Sequence, residues 1–132
     1  MIEKVFTPAY SDADPSNHIN ARVYPVWFEA ARNPFFEFFT PDLEPRKWEL
    51  ILVHIDVDMV NECFFNGDVT VKSSISKIGE TSFTVYQEAH QHGKRVAKGS
   101  AVLVHYDLKN KKKLKISDAI KEKLRKHLIQ TD

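Results

Sequence analysis

The sequence predicts an α+β domain in which one long aromatic helix is wrapped by a mostly antiparallel five-stranded sheet. Three observations lead there. Apolar residues recur at three- and four-residue spacing between Ala21 and Phe39, the period of an amphipathic helix. From Ile51 onward the apolar period becomes two, the mark of strands with one dry face. Gly67-Asp68, Gly79-Glu80 and His92-Gly93-Lys94 punctuate that stretch at hairpin intervals, and hairpin-linked strands pair antiparallel. The dry face of such a sheet is the one place for the helix to bury its aromatic side.

Each element follows from local chemistry. Lys4–Tyr10 reads as a short strand, and residues 11–20 as a loop rich in turn formers. The helix over 21–39 presents Val23, Trp27, Ala30, Ala31, Pro34, Phe35 and Phe38 on one side. Asn20 is placed to cap it, and Pro25 falls near the first turn, where a missing N–H costs least. Pro34 lies in the interior, where proline removes a hydrogen bond at a cost of about 3 kcal/mol, so a kink or break is expected near Asn33. Thr40-Pro41 ends the element. Ile51, Val53, Ile55, Val57 and Met59 then alternate with Leu52, His54, Asp56, Asp58 and Val60, the first set forming the expected dry face. Further strands are expected at Val69–Ile78, Thr81–His90 and Arg95–Leu108. Ser117 can cap a short C-terminal helix with Ile120, Leu124 and Leu128 as its apolar side.

Composition narrows the function classes. At 132 residues, 42% hydrophobic and 28% charged, the chain reads as one ordinary globular domain, residues 1–132. No apolar run approaches the roughly 20 residues of a membrane span, and Met-Ile-Glu-Lys-Val-Phe lacks the pattern of a secretory signal. The lone Cys63 fits a reducing cytoplasm. One cysteine and scattered histidines argue against a zinc site, and no cofactor is expected. Nine Lys and Arg between Lys109 and His127 stand against Asp118 and Glu122, a solvated face or a site for phosphates and acidic partners. Aromatics interleaved with those lysines are lacking beyond Tyr106, which weighs against nucleic acid.

The informative stretch is Ser11-Asp12-Ala13-Asp14-Pro15-Ser16-Asn17-His18-Ile19-Asn20. It sits directly ahead of the helix, whose free N–H groups carry roughly half a positive charge. Turn chemistry alone accounts for Asp14-Pro15-Ser16-Asn17. A carboxylate held across a bound carbonyl from the helix start would instead be catalytic machinery, with the amides stabilising the oxyanion.

The residues bear a family resemblance. Tyr10-Ser11-Asp12-Ala13-Asp14-Pro15 resembles the Asp-x-Asp-Pro loop of hotdog-fold acyl-CoA thioesterases of the 4-hydroxybenzoyl-CoA thioesterase type. His18-Ile19-Asn20 resembles the Gly-His-Val-Asn variant of relatives. Tyr24 with Trp27-Phe28-Glu29-Ala30-Ala31-Arg32 resembles the start of the family's central helix. Phe64–Asp68, Lys77–Phe83 and Gly93–Gly99 are similar to its later hairpins, so the likeness covers roughly residues 4 to 128. Asn17 stands where the family has glycine, Ala21 replaces an asparagine, and Pro34 interrupts a helix otherwise continuous.

The resemblance implies an acyl-CoA substrate, with coenzyme A as part of that substrate rather than a cofactor. It implies Asp14 as general base or nucleophile, and a homo-oligomer, a dimer or dimer of dimers, with the site between chains. Asp12 is read as structural. His18 either orients the carboxylate or is satisfied by neighbouring carbonyls; Asn20 caps the helix; Tyr24 and Trp27 wall the acyl pocket or belong to the core. Lys109–Lys115 is a candidate for coenzyme A phosphates. A hydratase or dehydratase is disfavoured because Ala21–Trp27 contains no glycine. A non-catalytic acyl-thioester binding module is the remaining alternative.

Overall fold

The computed structural model describes residues 1–129. Strands β1 (Ile2–Phe6), β2 (Leu50–Met59), β3 (Val69–Ile78), β4 (Ser82–Gln91) and β5 (Lys94–Asp107) form one antiparallel sheet in the order β1-β3-β4-β5-β2. A two-residue strand, β6 (Lys112–Lys113), folds back on the end of β5 within the basic stretch, one strand more than the sequence suggested. Between β1 and β2 lie helices α1 (Val23–Ala31) and α2 (Asn33–Glu37), and α3 (Asp118–Arg125) follows the sheet. Among the described residues no helix is long and apolar enough to cross a membrane.

The long helix expected over 21–39 is two short ones. The chain breaks at Arg32, one residue ahead of Asn33, and Pro34 falls in the first turn of α2. There its missing N–H is harmless, whereas a continuous helix would have needed it. The last carbonyls of α1 are served by Arg32, whose N–H is shared between Phe28 and Glu29. The first strand is also shorter than expected: β1 ends at Phe6, Pro8 follows, and Tyr10–Asp12 form a single 3-10 turn.

The core has two parts along one face of the sheet. Val23, Tyr24, Trp27, Phe28 and Ala31 of α1 pack on Val69 and Val71 of β3, Ala89 of β4, and Val96 and Ala97 of β5. Phe35, Phe36 and Phe39 continue over Ile75, Phe83, Val85 and Leu103, and Leu124 of α3 closes that end. A buried polar cluster of Gln87, Ser73 and Arg32 interrupts the apolar layer. Gln87 is buried beneath the helix break, donates to Phe28 O at 2.8 Å and Ser73 Oγ at 3.0 Å, and accepts from Arg32 Nη1 at 3.1 Å.

Strand β2 departs from the simple alternation. A bulge at Val53 shifts the register between Leu52 and His54, and one extra residue exchanges the faces on either side of it. Leu50 and Leu52 therefore share the helix side with Ile55, Val57 and Met59, opposite Ala97, Gly99, Ala101, Leu103 and His105 of β5. Beyond the bulge the expected set lies on the helix side, but only Val57 is partly buried there while Ile55 and Met59 stay exposed in the single chain; before the bulge the expected set is inverted. Gly99 is required here, because a Cβ would come within 2.1 Å of Asp56 O. The β4–β5 turn uses His92 and Gly93, both at positive φ (53° and 77°), the backbone of a two-residue hairpin. Ser117 caps α3 as expected, its Oγ accepting from Ile120 N–H at 3.2 Å.

Phe35 is completely buried at the junction of α2, α3 and the sheet. Phe35→Ala is expected to cost about 3–5 kcal/mol, measured by urea unfolding of both proteins.

Candidate active site

The loop between β1 and α1 is closed by its own hydrogen bonds. Asp12 Oδ2 accepts from Ala9 N–H at 2.8 Å, and Asp12 O accepts from Asn20 N–H at 2.8 Å. Asp12 is thus the structural acid, as read from the sequence. Asp14 N–H donates to His18 O at 2.8 Å, Asn17 N–H donates to Asp14 O at 3.0 Å, and Ala13 bridges Ile19. Asn17 takes φ of 68°, the left-handed conformation asparagine tolerates best after glycine.

Asp14 is both a turn residue and an available carboxylate. Its Oδ1 accepts from Ser16 N–H at 2.9 Å, from the Ser16 hydroxyl at 2.5 Å and from His18 N–H at 3.2 Å. The Ser16 hydroxyl, aided by these two amides and the nearby His18 ring, holds the Asp14 carboxyl below the usual carboxylate range. Its other oxygen, Oδ2, makes no hydrogen bond among the described residues. Asp14 lines an open hollow of about 480 Å³ together with Tyr10, Ala13, Pro15, Asn17 and Phe65. Within one chain this hollow includes none of residues 21–24, so the helix start expected opposite Asp14 does not line it.

Three further elements fix the loop. Ile19 N–H donates to Cys63 O at 2.8 Å and Phe65 N–H to Asn17 O at 3.2 Å. The His18 ring lies 4.9 Å from Phe64, with Nδ1 2.7 Å from Ser16 Oγ and Nε2 3.2 Å from Glu62 Oε1. Gln91, buried at the end of β4, accepts from Phe64 N–H at 2.9 Å and donates to Phe64 O and Gly67 O at 2.7 and 2.9 Å. Asn20 Oδ1 accepts from Arg22 N–H at 3.1 Å, and its carbonyl accepts from Val23 N–H at 3.0 Å. It therefore shapes the turn ahead of α1 rather than capping it as expected, because the chain turns once more and Arg22, with no side-chain cap, precedes the first helical residue.

Tyr24 and Trp27 belong to the core. They are 2% and 6% exposed, and neither lines the hollow beside Asp14. Trp27 stacks on Phe6 at 5.6 Å. Burial, with Cys63 beside the hydroxyl, pushes the Tyr24 phenol up, and burial likewise raises the Cys63 thiol. Both stay neutral and unreactive. Ser16, Glu62, Phe65 and Gln91 were not singled out from the sequence. Ser16, two residues after an aspartate, carried a local signal; the others arrive from 44 or more residues away by folding.

Gln91→Leu leaves the Phe64 amide and two carbonyls without their partner. The expected cost is about 2–3 kcal/mol, with faster amide exchange confined to Phe64 and its neighbours, read by hydrogen exchange.

No curated protein matches the chain. A predicted thioesterase from Bacillus stearothermophilus is similar at 41% identity, with a TM-score of 0.94 over 99% of this chain and 98% of that one. A Thermus thermophilus thioesterase complexed with coenzyme A and Zn shares the fold at 23% identity, with a TM-score of 0.82 over 94% and 91% of the two chains. A mutant 4-hydroxybenzoyl-CoA thioesterase complexed with 4-hydroxybenzoyl-CoA does so at 16% identity, with a TM-score of 0.77 over 93% and 97%. The family model of the thioesterase-like superfamily matches residues 9–124, from the acidic loop to α3. The chain belongs to the thioesterase-like superfamily and is, by that membership, a thioester hydrolase.

Proposed function

We propose that this protein hydrolyses acyl-CoA to the free acid and coenzyme A, with Asp14 as the reacting carboxylate. The observation that carries the reading is the state of Asp14. One oxygen is tied to its own loop by three donors, the other makes no hydrogen bond among the described residues, Asp14 lines a hollow, and an α-helix begins nine residues later. A thioester carbonyl placed between Oδ2 and the amides of an α1 start would be attacked on one side and polarised on the other. A carboxylate held below its usual range is ionised near neutrality, the state needed both for direct attack through a mixed anhydride and for activation of water. Coenzyme A as the carrier is supported by the two relatives that hold it or its thioester.

A homo-oligomer paired through β2 completes the reading. β2 is an edge of the sheet, and Leu52, Val53, Ile55 and Met59 on it are exposed in the single chain. Such an edge invites pairing with a second copy, and a two-fold axis makes that pairing antiparallel. Ten residues of β2 span about 33 Å, so in one chain the Lys109–Lys115 stretch lies far from Asp14. Antiparallel pairing brings a partner's basic end alongside Met59, from which residues 60–65 lead to Asp14. That end carries a hollow of about 510 Å³ with Arg46, Lys47, Trp48 and Lys109 among its lining, suited to the phosphates of coenzyme A. The proposed setting is the cytoplasm, where Cys63 stays reduced.

The test follows released thiol from a panel of acyl-CoAs. Asp14→Ala is expected to lower kcat at least a hundredfold. Wild-type kcat/KM should stay level below the pH at which an ordinary aspartate protonates, and fall only as pH drops through the lowered Asp14 pKa. Acyl-CoA binding without thiol release from the wild type would favour a binding module.

A further inference from the structure

Glu62, His18, Ser16 and Asp14 form one continuous hydrogen-bonded chain, and no part of the proposed chemistry has used its middle. His18 Nε2 lies 3.2 Å from Glu62 Oε1, His18 Nδ1 lies 2.7 Å from Ser16 Oγ, and Ser16 Oγ meets Asp14 Oδ1 at 2.5 Å. Its far end is fastened to the sheet. Val60 and Asn61 ahead of Glu62 bond to Val96 O through their amides, and Asn61 Nδ2 donates to Arg95 O at 2.8 Å.

Counting protons fixes the direction of the links. The Ser16 hydroxyl has one proton, and an ionised Asp14 can only accept, so that proton points at Oδ1. The His18 contact must then run from Nδ1–H to Ser16 Oγ. Nε2 faces a second carboxylate, which can only accept, so the Glu62 link is a hydrogen bond only in the imidazolium form, with a proton on each ring nitrogen. The neighbouring charges are otherwise engaged or directed elsewhere. Asp12 is bonded to Ala9 N–H, Arg22 Nη2 donates to Ser11 O at 2.6 Å, and His92 and Lys94 share a hollow with Glu62 rather than with Asp14.

We propose that Ser16 is a positioning residue: its hydroxyl, oriented by His18 and Glu62, locks the Asp14 carboxylate so that Oδ2 alone is presented to the thioester. This rests on Asp14 being the reacting carboxylate. The two amides and the hydroxyl all meet Oδ1, and the hydroxyl, arriving from the side chain while the amides arrive from the main chain, makes the shortest of the three contacts that fix that oxygen. It also withdraws charge from Oδ1, which leaves Oδ2 the oxygen free of hydrogen bonds. Ser16 is exposed and outside the core, so removing its hydroxyl spares the loop's backbone bonds.

The experiment compares wild type, Ser16→Ala, Ser16→Thr, His18→Phe and Asp14→Ala across a pH series with one acyl-CoA. Ser16→Ala is expected to lose about tenfold to a hundredfold in kcat with KM within about twofold, and to move the acid limb of the kcat profile to higher pH. The sign follows from the hydroxyl being the main group that lowers the Asp14 pKa. Ser16→Thr should restore both quantities. His18→Phe, which keeps a ring against Phe64, should shift both in the same direction as Ser16→Ala, and the double variant should be no worse than either alone. The proposal is overturned if Asp14→Ala is inactive while Ser16→Ala keeps the wild-type kcat and acid limb. It is equally overturned if Ser16→Ala loses rate with an unmoved acid limb that threonine does not rescue, since that outcome marks damage to the loop. Full activity in Asp14→Ala would instead overturn the reading of Asp14 itself.

Discussion

Two backbone hydrogen bonds, from Ile19 N–H to Cys63 O and from Phe65 N–H to Asn17 O, hold the acidic loop against the end of the sheet. Everything proposed for Asp14 depends on them. A loop following a five-residue edge strand has little core of its own, and exposed loops are ordinarily the mobile parts of a fold. Each such bond contributes only about 0.5–1.5 kcal/mol net, but here they act in series. The sheet carries Gln91, Gln91 holds Phe64 and Gly67, and residues 63–65 hold the loop. Precision at Asp14 is inherited from the buried end of β4.

The same economy explains the helix. Proline at 34 limits α1 to nine residues. At the break Phe28 O accepts from buried Gln87 as well as from Arg32 N–H, and the Arg32 side chain is drawn inward beside Gln87. Burial lowers the Arg32 pKa while Glu29 opposes that shift. The result is a short, firmly seated α1 with its start close behind the acidic loop, and an α2 that serves the second half of the core. At the opposite edge β2 is left half-wet, with apolar side chains that the single chain does not cover.

Much of this architecture was legible from local chemistry. The period change near residue 50, the glycine turns and the Pro34 break each have a local cause, and each appears in the structure. The β2 face was misread for a stretch because a bulge is a tertiary decision. Val53 slips out of register opposite Leu103 and Val102 of β5, and nothing in the alternation announces it. The site was legible in the same uneven way. Asp14 and Asn17 make their hydrogen bonds and turn within their own loop, so the turn could be read locally, whereas Asn20 was read as the helix cap and instead bonds Arg22 one turn ahead of α1. His18 was left between two roles because its partner Glu62 lies 44 residues away. Tyr24 and Trp27 were ambiguous because a helix start offers the same side chains to a pocket and to a core until the sheet beneath is known.

The central claim is geometric: an anionic oxygen and a set of helix amides on opposite sides of one thioester carbonyl. The most direct measurement is a crystal structure of the assembled protein with a non-hydrolysable acyl-CoA analogue. The account predicts Asp14 Oδ2 within about 3.5 Å of the acyl carbon, on a line suited to attack, and the acyl oxygen within hydrogen-bond distance of first-turn amides of an α1 helix. An analogue bound with its acyl carbon remote from Asp14, or with its oxygen turned to solvent, would contradict it.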